Sequence, residues 1–118
     1  MVTLVGYRPR APTATTLHPQ SVIVAWSLLA RRDLEQLRVY IERDNPRAAA
    51  RTADRILDAA ERLEQFPYLG RPGRETATRE LVVPRTPYLL IYRVRGEALE
   101  MLRVLHGAQR WRIVPREH

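Results

Sequence analysis

The amino-acid sequence predicts an α+β fold: a strand, a two-helix antiparallel hairpin, then a three-stranded antiparallel meander. Three observations carry that expectation. A short β-branched and aromatic run opens the patterned part of the chain. Two stretches with apolar residues at helical spacing follow, divided by Asn45-Pro46. Three strand-length apolar runs then close the pattern, separated by turns bearing proline or glycine.

Residues 1–20 lack periodicity, carry Pro9, Pro12, Pro19 and the run Thr13-Ala14-Thr15-Thr16, and read as a flexible N-terminal extension. Val22-Ile23-Val24-Ala25-Trp26 has strand length and strand composition. Ser27 is placed to cap a first helix, in which Ala30, Leu34, Leu37 and Ile41 share one face and Arg31, Arg32, Glu35, Arg38 and Glu42 fall between them. That helix should end near Asp44. Asn45 as N-cap and Pro46 at the first helical position restart the chain as a second helix. Its apolar stripe is Ala49, Ala53, Ile56, Ala60 and Leu63, whose small alanines permit close helix approach, and Asp58 with Arg62 makes an i,i+4 pair on the other side.

Phe66-Pro67 ends the second helix, because the residue before proline avoids the α region. Gly70-Arg71-Pro72-Gly73-Arg74 reads as loop. Strands are expected over 79–83, 88–94 and 99–106, the last two joined by Arg95-Gly96-Glu97-Ala98, where Gly96 supplies a positive φ. Tyr88-Leu89-Leu90-Ile91-Tyr92 is apolar on both faces, as a central covered strand would be. The folded domain is therefore expected over residues 21–112, with 113–118 as a tail.

A chain of 118 residues, 45% hydrophobic, accommodates one domain and one core. It has no cysteine, which excludes disulfides and thiolate chemistry, and no apolar run of the roughly 18 residues that a membrane span requires. A cytoplasmic protein without a membrane partner is expected. The formal charge is +7, and every one of the 20 basic residues is arginine. The codon bias of a GC-rich genome accounts for arginine over lysine; it does not account for the net charge, which favours polyanions or an acidic protein partner. No phosphate-binding glycine loop is present, the three histidines (His18, His106, His118) are dispersed, and neither Ser21 nor Ser27 sits in a nucleophile elbow. No metal and no cofactor are expected.

What remains is a concentration of arginine on the meander and its loops: Arg71, Arg74, Arg79, Arg85, Arg93 and Arg103, with His106 at the end of the last strand. Strict alternation points Glu100, Leu102, Val104 and His106 one way, and Leu99, Met101, Arg103 and Leu105 the other. An arginine on an otherwise apolar strand face is either ion-paired, here with Glu80, or close to a site. His106 is either a general acid or a structural strand-end residue, and the structural reading is favoured because no base accompanies it. Tyr88 and Tyr92 are read as core, whereas Trp111, beside Arg110, is a candidate contact residue.

A series of segments in order along the chain resembles the RelE/ParE superfamily of toxins from type II toxin–antitoxin systems. They are Trp26-Ser27 with Ala30-Arg31-Arg32-Asp33-Leu34 and Tyr40-Ile41; Asn45-Pro46-Arg47-Ala48-Ala49; Pro67-Tyr68-Leu69-Gly70-Arg71-Pro72-Gly73; Thr78-Arg79-Glu80-Leu81; Tyr88-Leu89-Leu90-Ile91-Tyr92-Arg93-Val94; and Leu102-Arg103-Val104-Leu105-His106-Gly107-Ala108. The resemblance spans residues 22–112 and implies the fold already expected from periodicity. It also implies a cognate acidic antitoxin, whose disordered segment folds onto the toxin, and a role of the plasmid-stabilisation kind.

The superfamily divides by target. RelE-like members cut messenger RNA on the ribosome, with basic residues, an acid–base pair and often a terminal tyrosine; ParE-like members inhibit DNA gyrase and lack that set. Here His106 matches a nuclease-type histidine, but Gly107 stands where tyrosine is expected, Leu89 where a catalytic arginine is expected, and lysine is absent. These departures favour gyrase inhibition by binding, with Arg71, Arg74, Arg85, Arg110 and Trp111 contacting the target. In the alternative, an mRNA interferase, Arg79, Arg93 and Arg103 would surround the phosphate and His106 would be the acid. A non-toxic basic binding module is the third reading.

Overall fold

The computed structural model describes residues 22–107. The expected N-terminal extension, Arg110, Trp111 and the tail lie outside the described residues. Element order is β1 Ile23–Trp26, α1 Leu28–Glu42, α2 Pro46–Gln65, β2 Arg71–Pro72, β3 Arg79–Val82, β4 Tyr88–Arg95 and β5 Ala98–His106.

Both helix starts form as their cap residues dictate. The Ser27 side chain accepts the Ala30 N–H at 3.0 Å, and the Asn45 side chain accepts the Ala48 N–H at 3.0 Å with Pro46 directly behind it. Ala30, Leu34 and Leu37 from α1 and Ile56, Ala59, Ala60 and Leu63 from α2 join one core cluster with one face of the sheet, and Ala49 of α2 is buried as well. Phe66 caps α2, and its N–H bonds the Arg62 carbonyl.

The expected meander is β3, β4 and β5, but the sheet is larger, with five strands in the order β1-β5-β4-β3-β2. Two additions were not anticipated. β1 joins as an edge strand parallel to β5, with Ile23 opposite Ala98 and Trp26 opposite Met101. The segment read as loop contributes β2, in which Arg71 faces Glu80 and Pro72 faces Arg79. β4 is the central strand, and its first five residues are all buried.

A bulge opposite Ile91 and Tyr92 breaks the alternation expected along β5. Leu99 and Met101 face the helices before it; after it the helix-facing residue is Val104, and Leu105 joins Leu89 and Ile91 in a second cluster on the opposite, open face. One extra residue on β5 has exchanged the two sets.

The same offset corrects the partner of Arg103. Arg103 and Glu80 lie in one row, both opposite Ile91, but on either side of β4. Two strand spacings, roughly 10 Å, separate their backbones. Arg103 turns instead over the free edge of β5 to Asp33 of α1. Glu80 is buried and accepts from Arg71 Nη2 at 3.2 Å and from the Arg74 backbone N–H at 3.1 Å.

Candidate functional site

Backbone register sorts the four candidate acid–base and phosphate residues onto two faces. Arg79 stands opposite Tyr92, and His106 opposite Tyr88, so both lie on the helix side of the sheet. Arg103, opposite Ile91, and Arg93, alternating with Tyr92, project from the open face. The fold does not gather the four around one point.

Each guanidinium is also engaged. Arg79 Nη1 donates to the Gly70 carbonyl at 2.7 Å and lies 4.9 Å from the Tyr68 ring centre, tying the turn after α2 to β3. Arg93 Nε bonds Glu100 at 2.7 Å, a cross-strand pair with both side chains about one-third exposed. Arg103 meets Asp33 through two bonds, Nε to Oδ2 at 2.7 Å and Nη2 to Oδ1 at 3.0 Å. The Asp33 hydrogen bond raises the Arg103 pKa above its ordinary value; partial burial acts in the opposite direction.

His106 is exposed at the end of β5, its ring edge-on to Tyr88 at 5.5 Å. Burial raises the Tyr88 phenol pKa, and the nearby Tyr40 adds to that shift. Tyr92 is fully buried: its hydroxyl donates to the Pro67 carbonyl at 2.8 Å and accepts the Gly70 N–H at 2.9 Å. Both tyrosines belong to the core, as their position in the central strand implies.

On the sheet face away from the helices, Leu89, Ile91 and Leu105 form a second buried apolar cluster. Beside it, Ser27, Leu29, Glu75, Thr76, Arg93 and Leu102 line a shallow depression of about 400 Å³. The loop that forms one wall also borders a second depression with Tyr68, Arg74, Arg79 and Val94. Ala77 in this loop has φ 64°, a left-handed conformation uncommon outside glycine. No sequence signal marked this loop beyond Arg74.

Of the candidate target-contact residues, Arg71 and Arg74 lie on the β2 side of the sheet, and Arg85 lies in the turn at the far end of β3. Arg71 is exposed in β2, and its head group bonds Glu80; Arg74 is exposed in the loop that follows. Arg85 is exposed in the β3–β4 turn with φ 62°, and its carbonyl accepts Arg55 Nη1 at 3.3 Å. Among the described residues no group of three His, Asp or Glu side chains is placed to hold a metal ion. No described helix is long and apolar enough to cross a membrane.

Comparison with known proteins places this geometry. Residues 24–111 match the model of the family described as ParE toxin of type II toxin–antitoxin system, parDE. Y4kP of Sinorhizobium fredii is 44% identical over 88 residues, covering 75% of this chain and 91% of that protein. Toxin RelE2 of Caulobacter vibrioides is 36% identical over 86 residues, 73% of this chain and 96% of its own length. Among solved structures, the chromosomal ParDE system from P. aeruginosa superposes with a TM-score of 0.67 at 24% identity, over 72% of this chain and 95% of that one. The RelBE2 toxin–antitoxin complex from Mycobacterium tuberculosis gives a TM-score of 0.51 at 28% identity, over 73% and 98%.

Proposed function

The chain belongs to the ParE toxin family of type II toxin–antitoxin systems, and from that premise we propose that it arrests growth by binding DNA gyrase rather than by cutting RNA. One observation carries the choice of target. On the sheet face away from the helices, phosphate chemistry needs uncommitted cations, but Leu89, Ile91 and Leu105 form a buried apolar cluster and Arg93 and Arg103 are tied to Glu100 and Asp33. Freeing Arg103 for a phosphate would leave the largely buried Asp33 carboxylate without its ionic partner, at a free-energy cost. Arg79 and His106 approach from the other face.

On this reading the toxin works as a ligand. Its target contacts are exposed arginines, Arg71, Arg74 and Arg85, which suit carboxylates on a protein surface as well as they suit phosphates. A net charge of +7 speeds association with either target and with an acidic antitoxin.

The alternative, ribosome-dependent cleavage of messenger RNA, is favoured by a single feature, the exposed imidazole of His106 at the end of β5. Purified protein assayed in parallel against gyrase supercoiling and against translating ribosomes separates the two. Blocked supercoiling with intact message supports the proposal; codon-positioned cuts with unimpaired gyrase sink it. Growth arrest on expression, relieved by the product of the adjacent reading frame, tests the toxin–antitoxin assignment itself.

A further inference from the structure

Arg79 and Val94, on the helix side of the sheet, line a depression of about 560 Å³ together with Tyr68, Pro72, Arg74 and Glu75. A volume of that order accommodates a small ligand. One wall is preformed. The Gly73 N–H donates to the Thr78 carbonyl at 2.8 Å, Thr78 Oγ1 to the Glu75 carbonyl at 2.7 Å, and the Arg74 N–H to Glu80 Oε2 at 3.1 Å. These bonds fix the 73–78 loop without any ligand, so little ordering remains to be done on binding.

Arg79 differs from the other part-buried arginines of β3, β4 and β5. Arg93 and Arg103 each meet a carboxylate at 2.7 Å. Arg79 meets the Gly70 and Tyr68 carbonyls, at 2.7 and 3.4 Å, and both bonds leave from Nη1. Among the described residues no carboxylate pairs with it, and Nε and Nη2 donate to no protein atom. Tyr68 adds a flat surface. The Arg79 guanidinium lies 4.9 Å from its ring centre, and Tyr68 is 59% exposed, so much of the ring stays open to a second planar group. Arg74 brings another guanidinium to the depression, and Glu75 is the one carboxylate-bearing residue among the described residues lining it.

We propose that this depression binds a nucleoside phosphate, its base stacked on Tyr68 and its phosphate drawn to Arg79 and Arg74. A planar guanidinium suits phosphate oxygens, and a part-buried one without a counter-charge gains more from an anion than a fully solvated one does. An exposed aromatic ring beside it is a stacking platform for a base. Pro72 and Val94 supply apolar contact at the edge of the base. Inorganic phosphate or a lone carboxylate would use the guanidinium groups and leave the ring uncovered. A free nucleotide and the 5′ end of a strand present the same chemistry, and the site stands on its own geometry whichever target the toxin binds.

The probe is adenosine 5′-monophosphate, titrated into the full chain by calorimetry, with amide spectra of the chain recorded alongside. It should bind with a Kd below about 1 mM, and adenosine and inorganic phosphate should each bind about ten-fold or more weakly. The Ala77 and Val94 amides should shift. Arg79 also ties the turn after α2, so the variants spare it. Tyr68→Leu removes the ring and keeps the carbonyl that accepts from Arg79, whereas Arg74→Gln removes a charge at an exposed position. Each should weaken binding about five-fold or more, and Arg51→Gln, an exposed position well up α2, less than about two-fold. A 5′-phosphorylated oligoadenylate that competes no better than the mononucleotide identifies a free nucleotide as the source. Competition about ten-fold better identifies a strand end, and either result supports the site.

The proposal is overturned if the mononucleotide binds no more tightly than inorganic phosphate, since the ring then plays no part. Unchanged binding in a folded Tyr68→Leu variant has the same meaning. Equal weakening by Arg74→Gln and Arg51→Gln also overturns it, because that would be unspecific charge attraction.

Discussion

Asp33 and Arg103 meet through two hydrogen bonds, 2.7 and 3.0 Å long, at the point where β5 has run past the end of β1. The same Asp33 oxygen that takes Arg103 Nε also accepts the Val104 backbone N–H at 2.9 Å. One carboxylate from the first turns of α1 therefore does what the next residues of β1 would have done, and covers a strand edge that would otherwise lack a partner.

This makes the two residues unequal. Asp33→Ala removes the acceptor for both Arg103 and Val104, in a site where Asp33 is 10% and Arg103 21% exposed. It should destabilise the fold by about 2–4 kcal/mol, in the range for breaking a largely buried pair. Arg103→Ala leaves Asp33 still bonded to Val104 and should cost less, about 1–2 kcal/mol. Urea denaturation of both variants and the double variant checks the order; an Arg103→Ala loss equal to or greater than the Asp33→Ala loss would contradict it.

Tyr92 offers a second separable contribution. Its hydroxyl bridges the Gly70 N–H and the Pro67 carbonyl, both in the turn that carries the chain from α2 to β2. Tyr92→Phe leaves two buried backbone groups without that bridge and should cost about 2–3 kcal/mol. Gly70→Ala should be at least as damaging for a steric reason: a Cβ there would lie 2.7 Å from the Tyr92 hydroxyl and 2.8 Å from the Glu80 carbonyl. Thermal melts of the two variants check this, and an unchanged melting temperature in either would refute the packing described.

Much of this architecture is legible in the sequence where the signal is local. Ser27, Asn45-Pro46 and Phe66-Pro67 mark helix limits through backbone chemistry that acts within a few residues, and Tyr88–Tyr92 announces a central strand by being apolar on both faces. What is not legible depends on distant pairing. β2 has two residues and no period, and exists because Glu80 and Arg79 are there to pair with it. The parallel contact of β1 with β5 joins residues more than 70 positions apart. The bulge in β5 adds one residue that no pattern announces, and with it the facing of Val104 and the partner of Arg103 both change.

A carboxyl on α2 gives the protein a pH-dependent term. Burial raises the Glu64 pKa above the ordinary value, and the neighbouring Glu61 charge adds to the shift. A carboxyl whose pKa is raised by folding favours the folded state most when protonated, so its contribution is fully present below the unfolded pKa and is lost as pH rises through the folded one. Glu64→Gln should therefore stabilise the protein at neutral pH relative to wild type, with the difference shrinking as the solution is acidified below about pH 4. Urea midpoints at both pH values measure it; a difference that grows on acidification would show the opposite sign.

Substitutions differ in their power to decide between the two targets. Arg79 and Arg103 are poor reporters, because Arg79 holds the Gly70 carbonyl and Arg103 holds Asp33, so their loss weakens the fold whatever the protein does. Arg93 and His106 are better. Arg93 forms a pair about one-third exposed with Glu100, and His106 is exposed with its ring against Tyr88, so alanine at either should change stability by no more than about 1 kcal/mol. If gyrase binding through the exposed arginines is the mode of action, Arg93→Ala and His106→Ala retain growth arrest, whereas Arg74→Glu combined with Arg85→Glu weakens it by about ten-fold or more in the expression needed. A ribosomal nuclease predicts the reverse for His106, since loss of a general acid costs about a hundred-fold or more in rate. Growth curves across an induction series, with protein levels and melting temperatures measured for each variant, separate these outcomes. Toxicity abolished by His106→Ala in a protein that remains folded would transfer the assignment to the nuclease.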